Sequence, residues 1–326
     1  MSTYYQIFGG KINVVASDPA NPIKGQVWFN SGTPALKYRA ATTTGTWATG
    51  GNLATARREL GGCGTQTSAL GFGGAITISV NNTEEYDGST WTTGGNLGTA
   101  RRPAGAGTQT AGLAISGFAG PSDSNATEEY DGTSWTTGGN FTVATQSLAG
   151  CGTQTAGLGF GGYANPNTLS ATREYDGSSW TAGGNLGTAR YGLSGAGTQT
   201  AGLAFAGRLG VAPSGANTGA TEEYDGTSWT AGGSLGTARR FGAGCGTQTL
   251  GLAFSGFTTV NTNITEEYNG SSWTTGGNLT TARRVPGNAG TQTAGLGFGG
   301  YATGDLTATE EYNPAGQPLT KTVTST

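Results

Sequence analysis

Residues 107–135, GTQTAGLAISGFAGPSDSNATEEYDGTSW, hold the key to this chain, because the same phrases return along its length. GTQT begins at Gly64, Gly107, Gly152, Gly197, Gly246 and Gly290. A Tyr preceded by Glu recurs at Tyr86, Tyr130, Tyr175, Tyr224, Tyr268 and Tyr312, and a Trp at Trp47, Trp91, Trp135, Trp180, Trp229 and Trp273. Each series has six members, 43 to 49 residues apart, and together they cover about residues 46–313. Repetition at this period marks an architecture in which each unit buries its apolar faces against its neighbours.

Inside a unit the pattern has period two. Leu113 and Ile115 alternate with Gly112 and Ala114, and the other copies keep Leu-x-Phe: Leu70/Phe72, Leu158/Phe160, Leu203/Phe205, Leu252/Phe254 and Leu296/Phe298. Large apolar residues alternating with Gly or Ala predict a strand buried on both faces, one face supplying knobs and the other leaving room for a neighbour's knobs. Four short strands follow in each unit: a around GTQT, b around the Leu-x-Phe, c around TEEY and d around the Trp. A tight Asp-Gly or Asn-Gly turn, as at Asp87-Gly88 and Asn269-Gly270, links c to d. No segment reads as a sustained amphipathic helix. The expected fold is all-β, a six-bladed β-propeller of four-stranded antiparallel blades. The first repeated element is the Trp47 strand and the last is the Tyr312 strand. An outer strand from the N-terminal side is therefore expected to close the ring.

The units resemble the kelch repeat. The likeness lies in the small pairs that end strand b (Gly73-Gly74, Gly161-Gly162, Gly299-Gly300), then Glu-Tyr-Asp, Trp and Leu-x-x-Ala-Arg, as in Tyr86-Asp87, Trp91, Leu97 and Ala100-Arg101. It covers all six units and implies a propeller, while leaving function open. The c–d turn also resembles, loosely, the Asp-box turn of six-bladed sialidases. Here Asp87 stands directly before Gly88, with one residue fewer before Trp91, and the likeness concerns a structural turn.

Composition narrows the chemistry. Of 326 residues 63 are Gly, 11% are charged and none is His, which removes histidine-based catalysis and histidine-ligated metal sites. Seven Trp, twelve Tyr and eleven Phe supply a core, so the glycines are assigned to tight turns, the small face of strand b and the G-G loops before Leu-x-x-Ala-Arg. A net charge of −3 with no long basic run argues against binding nucleic acid. No stretch is apolar enough to insert in a membrane, and no signal peptide is visible at the N-terminus. Cys63, Cys151 and Cys245 alternate with Ala106, Ala196 and Ala289 at one repeat position, which predicts small buried thiols. No cofactor, metal or catalytic residue is expected.

The paired carboxylates, Glu84-Glu85, Glu128-Glu129, Glu222-Glu223, Glu266-Glu267 and Glu310-Glu311, recur too regularly for one active site. The third unit replaces Arg-Arg by Thr145-Gln146 and the first Glu by Arg173. Cation and anion vanish together, so the Arg and Glu positions are expected to pair in the other units. The six Gln of GTQT, Gln66 to Gln292, or the flanking Thr, are expected to ring a central channel.

Variation points to function. The b–c links, 75–82, 118–126, 163–171, 208–220, 257–264 and 301–308, differ in length and chemistry. They carry Phe118, Tyr163, Arg208, Leu209, Val211, Phe257 and Tyr301 to the face that also bears the d–a loops, a candidate binding surface for a glycan or protein. Unconstrained loops would look the same. Residues 1–45 hold Lys11, Lys24, Lys37 and Arg39 against Asp18, a net of +3 that leaves −6 for the rest. Within them Asn21-Pro22, Gly25 to Asn30 and Leu36-Lys37-Tyr38 resemble a phrase of bacteriophage tail-fibre and other virion proteins. That resemblance implies an attachment segment, residues 1–43, with Trp28, Phe29, Lys37 and Tyr38 as candidate contacts. An extended arm packed on the propeller is the alternative. The domains expected are 1–43, the propeller 44–313 and a tail 314–326. The expected function is a non-enzymatic virion structural protein, made in the host cytoplasm. Its partners would be other virion proteins and a host-surface glycan or protein, with homo-oligomerisation open. A purely architectural adaptor touching only virion proteins, or a glycan-cleaving propeller, would carry the same repeats.

Overall fold

The computed structural model describes residues 12–20, 25–41, 44–210, 215–315 and 318–323. Two compact units are formed, one from residues 1–45 and 314–326, the other from Thr46–Asn313.

The larger unit is all-β and propeller-like. Among the described residues it contains six four-stranded antiparallel sheets, each ordered a-b-c-d, and two short two-stranded ones. In the first, Gly61–Thr65 pairs with Ser68–Phe72, then Thr83–Tyr86, then Trp91–Thr93. In the last, Thr309–Asn313 takes its outer neighbour from the start of the unit, Thr46–Thr49, with Tyr312 opposite Trp47. The hairpin from c to d is present, but its turn is four residues long rather than two. Tyr86 faces Trp91, and between them the Asp87 carboxylate accepts the backbone N–H groups of Ser89 at 2.8 Å and Thr90 at 2.7 Å. Asp takes the capping role at the head of the loop, and Gly88 supplies the left-handed residue at φ +92°.

Knobs and room fall where the alternation put them. In the first sheet strand b is buried from Ala69 onward, with Leu70 and Phe72 fully enclosed. A Cβ placed on Gly112 would lie 2.7 Å from Leu70 Cδ2 of the preceding sheet, and one on Gly157 would lie 2.6 Å from Leu113 Cδ2. The apolar core is therefore divided among the inter-sheet spaces. One cluster joins Leu53, Leu60, Ala69, Tyr86 and Trp91 to Leu296 and Phe298 from the last sheet.

Polar groups repeat the same inter-sheet logic. Each Tyr of strand c donates to the second Glu of the preceding sheet: Tyr130 to Glu85 at 2.5 Å, Tyr224 to Glu174 at 2.5 Å, and Tyr86 to Glu311 of the last sheet at 2.6 Å. Each Trp indole donates to a Thr in the same direction, as Trp135 to Thr83 and Trp91 to Thr309. The Gln side chains do this too, which corrects their expected place around a channel. Gln109 Nε2 reaches back to the carbonyls of Ala69 and Tyr86, and Gln66 to those of Gly295 and Tyr312. The space between the six a-strands is instead lined by the repeated G-C-G and G-A-G phrases. Glycine is required there, because a Cβ on Gly105 would meet the Gly62 carbonyl at 2.5 Å. The sixth equivalent is Asn288, whose amide donates to the Gly244 carbonyl at 2.6 Å.

The expected Arg–Glu pairing is present in five sheets: Arg57–Glu84, Arg101–Glu128, Arg190–Glu222, Arg239–Glu266 and Arg283–Glu310, all buried. The other oxygen of each Glu accepts a backbone N–H from the d–a link, at 2.6 Å for Gly98, so the pair clamps that link onto its sheet. Burial pulls each of these arginines below its ordinary range and the carboxylate pushes back. In the third sheet Arg173 turns to Thr142 Oγ1 at 2.6 Å, and Thr145 is buried in the arginine's place. The three cysteines are free and buried, as expected. Burial pushes Cys151 and Cys245 up to about 12.

The smaller unit is one sheet ordered Asn13–Val15, Val27–Asn30, Ala35–Ala41 and Pro318–Thr322. Residues 314–326, set apart above as a tail, thus belong with the N-terminal segment, since their strand pairs antiparallel with Ala35–Ala41. Asp18 ties the unit together by accepting from Trp28 at 3.0 Å, Asn30 at 2.7 Å and Lys37 at 2.8 Å. These donors, Lys37 first, hold its carboxyl at about 2.

Candidate functional site

Each d–a link ends in two residues that behave differently. The first, an Arg in five units, is the buried clamp; the second is half-buried, as is the residue after it except for the buried Gly192. The residues after it are Glu59, Ser147, Gly192, Phe241 and Val285, no two alike in an otherwise repeated phrase, while the second unit is one residue shorter and passes straight from Arg102 to Pro103, the equivalent of Leu60 and Pro286. All five adopt left-handed backbone, with φ from +50° at Val285 to +60° at Gly192. For a β-branched Val this is a strained state, held by its surroundings. Backbone hydrogen bonds run from one to the next: Glu59 N to Val285 O, Val285 N to Phe241 O, Phe241 N to Gly192 O and Gly192 N to Ser147 O, at 2.7–2.9 Å. These residues line a cavity of about 140 Å³. The repeat carries a signal for this position, since no two of the five units that have it agree.

The second Arg position pairs with the first residues of the b–c link. Arg58 bridges Ala75, Gln146 bridges Tyr163, Arg240 bridges Phe257 and Arg284 bridges Tyr301, while Tyr191 pairs with Arg208 and Arg102 with Phe118. The expected meeting of b–c and d–a links on one face is therefore present. Of the candidate residues, Phe118, Tyr163, Arg208, Leu209, Phe257 and Tyr301 all lie along it, and Val211 lies outside the described residues. The aromatics are half-buried rather than solvent-facing, because guanidinium groups cover Phe118, Phe257 and Tyr301 and the Tyr191 ring packs on Tyr163. Arg240 and Arg284 lie 4.7 and 5.1 Å from the Phe257 ring centre. Arg284 and Arg58 lie 4.7 and 5.4 Å from that of Tyr301, and Arg102 lies 5.1 Å from that of Phe118. Tyr191 continues the arc between Phe241 and Tyr163.

The arc is cationic in one sector. Arg58 is paired with Asp305 and Arg102 with Glu59, each at 2.6 Å. Arg240 and Arg284 occupy the position of Arg58 in their own sheets, yet they donate to the neutral amide oxygens of Asn217 at 2.7 Å and Asn261 at 3.1 Å. Burial, then repulsion from Arg208 and Arg284 set against attraction to Tyr191, lowers Arg240 from the ordinary arginine range. Such a surface can hold an anionic group, through guanidinium donors, beside apolar rings.

In the smaller unit the candidate attachment residues divide. Trp28 is fully buried with its indole on Asp18, and Lys37 is ion-paired to the same carboxylate, so both are used inside the unit. Phe29 and Tyr38 are half-buried. No protein-family model matches the chain, and no curated protein matches it either.

Proposed function

We propose that the chain is a non-enzymatic, kelch-like propeller of six blades closed into a ring, carried on a phage particle by its residue 1–43 segment and presenting the Arg/aromatic face to the host surface. Closure is supported by the Thr46–Thr49 strand pairing with Thr309–Asn313, by Tyr86 bonding Glu311, and by the first strands of the first and last sheets lying side by side. The particle assignment rests on the resemblance of the N-terminal phrase to tail-fibre proteins. The observation that carries the binding reading is the contrast between faces. Groups that hold the sheets together repeat almost unchanged, while the side chains that differ gather on the d–a and b–c links around one mouth.

Purified full-length protein, added first, should compete with the particles for adsorption to their host, and antibodies to the chain should decorate intact particles. Decoration without competition would replace host recognition by an architectural role among virion proteins. Failure of both would remove the virion reading altogether.

A further inference from the structure

The arginine of the d–a link meets an equivalent partner from the preceding sheet in three consecutive places. Asp305 serves Arg58, but Asn261 serves Arg284 and Asn217 serves Arg240. The asparagines keep the geometry, each also donating through Nδ2 to two carbonyls of the next b–c link, and omit the charge. Two adjacent guanidiniums thus stack on the single ring of Phe257, and among the described residues neither has a carboxylate in ion-pairing distance. With Phe241, Val285 and Glu59 they line a cavity of about 340 Å³. Glu59 is already engaged by Arg102. That volume lies at the lower end of small-ligand pockets, roughly 300–1,000 Å³.

We propose that this cavity binds a carboxylate-bearing pyranose of a surface polysaccharide. Arg240 and Arg284 hold the carboxylate, and Phe241 and Val285 flank the ring. The inference rests on the host-binding reading above and specifies its ligand class. Phe257 and Tyr301 are not the stacking platform, since guanidinium groups already occupy them.

The test is calorimetric titration of the full-length protein with D-glucuronate and N-acetylneuraminate, with D-glucose and acetate as the uncharged-sugar and bare-anion arms. At least one sugar acid should bind, about tenfold or more tighter than acetate, with no binding of glucose. The Arg240→Gln/Arg284→Gln variant should abolish that binding, and Thr110→Ala, an exposed a–b turn residue, should leave it unchanged. Asp305→Asn gives an independent arm that does not touch the two arginines. It frees Arg58 as its neighbours are freed and should raise affinity by about threefold; unchanged or weaker binding counts against the proposal. Equal binding of acetate, or binding of neither sugar acid, overturns it. If the sugar acids fail while the protein still competes for host adsorption, only the ligand class falls. If they bind and competition is absent, the host-recognition reading falls instead.

Discussion

Arg101 shows how much one side chain carries in this repeat. Its guanidinium meets Glu128 and donates to the carbonyls of Ser116 at 3.0 Å and Ala114 at 3.2 Å, all within the protein interior. Arg101→Thr leaves the Glu128 carboxylate buried without its cation and should cost about 3–5 kcal/mol in urea denaturation. The third sheet supplies the remedy, since Thr145 and Arg173 coexist there. Arg101→Thr/Glu128→Arg should therefore be more stable than Arg101→Thr alone; a double variant as unstable as the sum of its parts would deny the pairing its role. The Tyr–Glu bonds make a second prediction. Burial and the adjoining carboxylates push Tyr130, Tyr175, Tyr224 and Tyr268 up to about 12. Their folded values stand above the ordinary value near 10, so the stability they contribute is complete below pH ~10 and is lost as pH rises through ~12. Tyrosinate absorbance followed with circular dichroism should show this set ionising together with loss of sheet structure. Ionisation near 10 with the sheets intact would contradict it.

Strands here are specified by what fills the space between them. Gly112 makes room for Leu70, so Gly112→Val should destabilise by about 1–3 kcal/mol or more, whereas Thr110→Val on the exposed turn should be near neutral in the same thermal melts. The strands, their order and the burial of strand b were legible because knob and hole alternate in the sequence itself. The Arg–Glu pairs were legible because one unit loses both partners. Less was visible where contacts cross between units. Gln66 and Gln109, or the Thr beside them, read as channel residues from strand parity, yet each Gln sits in a turn, where its amide can reach the preceding sheet. The Asp-Gly turn was read as two residues, although the Ser and Thr hydroxyls and N–H groups that follow give Asp87 a four-residue loop to cap.

For the molecule as a whole, the variable face was half legible. Variable links announced it, and the backbone chain through Glu59, Val285, Phe241, Gly192 and Ser147 did not, because left-handed backbone at Val or Phe leaves no mark in composition. Guanidinium cover on Phe257 and Tyr301 likewise depends on spatial neighbours from successive sheets. In the proposed ring, the seam is what makes these sheets one body. Residues 46–49 run directly into the first sheet while pairing with the last, so that pairing joins the two ends of the series. Thr46 and Asn313 are directly opposed there, within reach of a disulfide. The native thiols are buried and kept protonated, so they should not compete. Thr46→Cys/Asn313→Cys should oxidise to a single intramolecular disulfide in the folded protein and raise its melting temperature. A pair that stays reduced under mild oxidation, or that links only between molecules, would contradict a ring closed by this strand.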